Sequence, residues 1–167
     1  GSDYYRDGVY NRSYQYWIIH LAAFTGARVN ELSQLTTSDI KQDDEGLWYF
    51  NITATEDDGK TVKNEESRRI IPVHQKLIEL GFIEYVEAKR TEVEEAGMPI
   101  NLFDLNKAKA DGYGKAASQW FNTKYLRDYL KVDDKNVVFH SFRHRFISSL
   151  AQAILDASGL SEETANK

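Results

Sequence analysis

Within five residues, His140-Ser141-Phe142-Arg143-His144, the chain sets two imidazoles and a guanidinium side by side. In a helix at about 100° per residue, Phe139, Phe142, Phe146 and Leu150 form one apolar stripe that predicts a core face. His140 and His144 then stand one turn apart on a neighbouring stripe, and Arg143 lies on the border. A guanidinium on that border is held by packing along its stem, keeps its charge at any ordinary pH and presents a planar fork that suits phosphate. A rigid arginine with one or two histidines beside it is the chemistry of a phosphodiester site. The competing reading is a helix edge carrying three solvated cations. Other chemistries fit less well. The histidines have the i, i+4 spacing of a helical zinc pair, but Ser141 stands where a metalloprotease motif has its glutamate, so no metal site is expected. Ser141 lacks the flanking glycines of a nucleophile elbow, and the chain has no phosphate-cradling glycine-rich loop.

These residues need elements to hold them. Residues 13–25 read as an amphipathic helix with Tyr14, Trp17, Ile18, Leu21 and Phe24 on the buried face, Ser13 as N-cap and Gly26 as the terminating glycine. A short helix follows from Arg28 to Leu35, with Val29, Leu32 and Leu35 inside. Arg28 and Glu31 are spaced i, i+3 and can share a face; Arg28 is aimed by the junction of two packed helices. The alternative is a surface ion pair of little worth. Residues 47–53 and 67–73 read as antiparallel strands, with Asp39-Ile40 as a third. The polar loop between them carries Lys60 and Lys63 at its tip. Residues 74–95 are helical with a break at Gly81, and 116–130 form a helix bearing Trp120, Phe121, Tyr125 and Tyr129. The helix over 139–158 ends near Gly159, and Ser161 opens another. The fold class expected is mainly α with a small antiparallel sheet, α+β.

Composition narrows the class. The chain has 167 residues, 41% hydrophobic and 13% aromatic, which predicts a single folded domain over residues 3–167. Gly1-Ser2 reads as a cloning scar. With no cysteine, neither disulfides nor cysteine-based zinc sites are expected, and a cytoplasmic setting fits. No apolar run approaches membrane-spanning length, so no membrane partner is expected. The net charge of −5 argues against a generic nucleic-acid binder: contact with DNA must come from a local basic patch.

Thr25-Gly26-Ala27-Arg28-Val29-Asn30-Glu31-Leu32, followed by Leu35 and Asp39-Ile40, resembles the first arginine box of the tyrosine recombinase (phage integrase) family. His140-Ser141-Phe142-Arg143-His144 resembles the same family's His-x-x-Arg box. Lys63, ahead of Ser67-Arg68-Arg69-Ile70-Ile71-Pro72-Val73, stands where the family places a lysine on a β-hairpin. The resemblance runs from about residue 12 to 167. It implies a bacterial or phage-encoded catalytic domain that acts on double-stranded DNA, in the parent protein as a homo-oligomer in a tetrameric synapse. A tyrosine hydroxyl attacks a phosphodiester to give a 3′-phosphotyrosyl link, and a 5′-hydroxyl later reverses the step, without metal or cofactor. Arg28 and Arg143 would then meet the transition-state charge, Lys63 (or its rival Lys60) would protonate the leaving 5′-oxygen, and His140 would manage the nucleophile's proton. Glu31 would orient its neighbours. Arg68, Arg69, His144 and Arg145, with Lys60, would touch the DNA.

The sequence departs from the pattern in one respect. The family's tyrosine follows the His-x-x-Arg box, whereas all ten tyrosines here precede His140. The expectation is a catalytic domain missing its C-terminal end and its nucleophile. The alternative is a non-catalytic DNA-binding or regulatory module with the same fold.

Overall fold

The computed structural model describes residues 10–52, 69–96, 100–108 and 112–158. Helix α1, Ser13–Thr25, begins one residue earlier than a Ser13 cap would require: Arg12 is the N-cap, and the Gln15 side chain accepts its N–H at 3.0 Å. Trp17, Ile18, Leu21 and Ala22 repeat at helical spacing and are wholly buried. Each large apolar side chain so buried contributes roughly 1.5–3 kcal/mol. Gly26 ends α1 in the left-handed region (φ +60°), its N–H on the Ala22 carbonyl. A Cβ there would lie 2.4 Å from Phe146 Cδ1, so glycine serves both the turn and the close approach of the last helix. Helix α2, Val29–Ser33, follows at once.

The sheet is three-stranded and antiparallel in the order β1-β2-β3, with β1 Ile40–Gln42, β2 Trp48–Ile52 and β3 Arg69–Pro72. Phe50 faces Ile40 on one side and Ile71 on the other. Ile70 points outward, and Val73 is buried, as the period-2 alternation predicts. Asp39 belongs to a short 3-10 turn, Thr37–Asp39, and only Ile40 enters the strand. The expected break at Gly81 (φ +85°) separates α3, Gln75–Glu79, from α4, Phe82–Ala96. Phe82 and Tyr85 of α4 close on Trp17 with ring centroids at 5.1 and 5.5 Å, which joins the sheet side to α1.

Two sequence expectations need correction. The helix expected over 116–130 is α-helical only as α5, Gly114–Trp120, and then winds as a π-helix from Phe121 to Tyr129. Phe121 stacks on Tyr125 (5.5 Å) and Tyr125 on Tyr129 (5.8 Å) along it, and the Leu130 N–H reaches back five residues to Tyr125, the bond of the wider winding. The second correction concerns the last described helix, α6, Ser141–Ser158; the helix expected from Ser161 lies outside the described residues. Phe139 is buried and Phe142 and Phe146 are partly buried, but Leu150 is 51% exposed. Only the first turns of α6 lie against α1, so the apolar stripe is a core face for its first half alone.

Candidate active site

Arg28 is the N-cap of α2, fixed two residues after the Gly26 turn. Its backbone N–H donates to Glu31 Oε2 at 2.7 Å, and its Nη1 donates to Glu31 Oε1 at 3.1 Å. Glu31 is not a surface partner: it is 4% exposed. Across from α2, Arg69 at the start of β3 sets both terminal nitrogens on the same carboxylate, at 3.2 and 2.9 Å. Two guanidiniums and a backbone amide thus converge on one buried carboxylate, a bidentate arrangement on the Arg69 side. Burial alone would push the Glu31 carboxyl up. The Arg69 bonds and the Arg28 amide outweigh it and hold the group below the usual carboxylate range.

Arg143 comes from α6. Its Nη1 donates to the Gly26 carbonyl at 2.7 Å, so the fork is tied to the chain that carries Arg28. Burial, then the charges of Arg28 and Arg69, pull its pKa down while Glu31 opposes them; an arginine still keeps its charge under such a field. His140 lies in the turn just before α6, an exposed side chain whose ring centroid is 4.8 Å from that of His144. Partial desolvation, then His144, Arg143 and Arg28, hold it below the usual histidine value, which favours the neutral ring.

Arg28, His140 and Arg143 line one cavity of about 310 Å³. Asn30, Ser118 and Asn122 form its polar wall, and none of the described tyrosines is among its lining residues. Sequence reasoning missed that wall. Ser118 and Asn122 sit one helical turn apart, joined by an Nδ2–Oγ bond of 3.3 Å. The pair was legible as a polar stripe, but the aromatic stripe of the same helix dominated the pattern. Asn30 Oδ1 accepts the N–H groups of Tyr113 and Gly114, which seats α5 against α2. Arg145 is placed elsewhere, on an apolar groove with Tyr125 and Phe142, and His144 does not line the cavity. Lys60, Lys63 and Arg68 lie outside the described residues. Among the described residues, no group of three or more His, Asp or Glu could hold a metal ion.

The sequence profile of the phage integrase family matches residues 5–163. The chain belongs to the phage integrase family. No curated protein and no solved structure matches it. Membership brings site-specific DNA recombination as the function class and DNA as the partner. In this integrase chain, of net charge −5, the described cations Arg28 and Arg69 lie close enough to Arg143 to act on its charge. No described helix is long and apolar enough to cross a membrane.

Proposed function

We propose that the cavity between α2 and α6 is the phosphodiester site of a DNA strand transferase and that Arg28 and Arg143 hold the scissile phosphate. The observation that carries this is their meeting with His140 at one cavity, although His140 and Arg143 lie more than a hundred residues from Arg28 in sequence. In the first step a tyrosine oxygen bonds to phosphorus and the bond from phosphorus to the 5′-oxygen breaks. The tyrosine's proton goes to neutral His140, and Lys63 supplies a proton to the leaving oxygen. Two fixed guanidiniums stabilise the added negative charge of the transition state. The nucleophile must stand in line, about 3 Å from phosphorus. None of the described tyrosines lines the cavity, and in the family pattern the tyrosine follows the His-x-x-Arg box, so the reading assigns the nucleophile to a segment outside these 167 residues. In the full-length parent, phage-encoded or bacterial, the working unit would be a tetramer of such domains on two duplexes.

A second reading, a DNA-binding module without chemistry, draws on the acidic net charge and on a cavity that none of the described tyrosines lines. A nicked suicide duplex separates the two. The 167-residue chain should form no covalent adduct. The protein extended through its downstream reading frame to the next tyrosine should form one, and Arg143→Ala in that protein should abolish it. An extended protein that binds the duplex and never forms an adduct supports the module. An adduct on a tyrosine of the 167-residue chain overturns the site assignment.

A further inference from the structure

The His140 side chain is exposed, so packing does not fix its ring; the backbone that presents it must be fixed instead. That backbone is the turn 137–139, and side chains hold it. The Phe139 N–H, one residue before His140, donates to Asn122 Oδ1 at 2.8 Å. The Val137 carbonyl accepts Arg127 Nη2 at 3.0 Å. The Val138 N–H donates to Ser141 Oγ at 3.1 Å. Asn122 and Arg127 are five residues apart. In an α-helix at about 100° per residue they would stand roughly 140° apart and could not both reach one turn. A π-winding, whose backbone bonds run from i to i+5, has more residues per turn and brings such residues onto the same side of the helix, roughly 50° apart. Both lie within the π-wound stretch Phe121–Tyr129.

We propose that Asn122 is a positioning residue for His140 and that the π-wound segment serves to bring Asn122 and Arg127 together onto the turn before it. Asn122 also lines the cavity, so the residue that anchors the turn forms part of the wall facing Arg28 and Arg143. A buried amide that loses its acceptor is left to find water, and the turn then opens locally. The functional weight of this role rests on the reading of His140 as the proton carrier. The position of the ring does not depend on recombination, so the two fail separately.

Nuclear magnetic resonance on the 167-residue chain provides the test, with His140→Gln assigning the His140 ring signal. Asn122→Ala should speed exchange of the Phe139 amide by about tenfold or more, while the Phe50 amide of β2 keeps its rate. The His140 ring should then titrate at higher pH, as it leaves the field of His144, Arg143 and Arg28 for water. Asn122→Asp retains an acceptor and should keep the Phe139 amide protected. A Phe139 amide that exchanges no faster in Asn122→Ala overturns the proposal. So does an equal acceleration at Phe50, which marks global unfolding, or a His140 titration that stays where it was.

Discussion

Arg143 donates a 2.7 Å hydrogen bond from Nη1 to the carbonyl oxygen of Gly26. That bond ties the last described helix, α6, to the turn from which Arg28 springs. In the proposed site a phosphate would meet a fork already anchored, with little side-chain freedom left to lose on binding.

Gly26 is the first test of this arrangement. An alanine there must adopt φ near +60° and push its Cβ into the Phe146 ring. Gly26→Ala should destabilise the fold by about 2 kcal/mol, roughly 4–8 °C in Tm. Calorimetry reads the first effect. Sulfate titration should show weaker binding as well, because the Arg143 anchor moves with the turn.

The buried carboxylate gives a prediction in pH. Glu31 has its pKa lowered from an ordinary 4.5, so it binds fewer protons folded than unfolded. Its contribution to stability is present above the ordinary carboxylate range and is lost as pH falls below about 4.5 through the folded value. Arg69→Met leaves Glu31 short of its main partner and should cost about 2–3 kcal/mol, less than the roughly 3–5 of a fully buried pair because Arg69 is 28% exposed. Urea melts at pH 7 and pH 3.5 should show the variant's deficit shrinking in acid.

His140 carries the opposite charge type with the same sign of linkage. Its pKa is depressed from 6.5, so charging it is easier in the unfolded chain, and the folded state gains from pH above that value. A bound anion reverses the local field and should raise the His140 pKa. Sulfate, which does not titrate near neutrality, should therefore bind more tightly as pH falls from 8 to 6. His140→Gln should remove most of that dependence.

The Arg28–Glu31 pair and the sheet were legible in the sequence because each rests on local spacing, whereas the meeting of Arg28 and Arg143 at one cavity was expected from the family resemblance alone. Arg28 and Glu31 lie three apart beyond a terminating glycine, and the strands alternate with period 2. The link from Glu31 to Arg69 was not legible, since it spans thirty-eight residues and depends on how β3 packs against α2. The depth of α6 burial was hidden for a similar reason. A stripe of Phe139, Phe142, Phe146 and Leu150 shows which face is apolar, and only the packing on α1 shows how far the covering element extends. The π-winding from Phe121 to Tyr129 leaves no periodic signature short enough to separate from an α-helix with four-residue aromatic spacing.

The central claim is that Arg28 and Arg143 together take one phosphate of a DNA duplex. Titration of the 167-residue chain with a short duplex, followed through the arginine Nε–H resonances, tests it most directly. Binding should be weak and should weaken further with salt, given the net charge of −5. The Arg28 and Arg143 signals should shift together along one isotherm, and Arg143→Ala should weaken that isotherm by about tenfold or more, as expected for a lost charge-assisted bond. A duplex that binds with both signals unmoved, or with affinity unchanged in Arg143→Ala, would contradict the account.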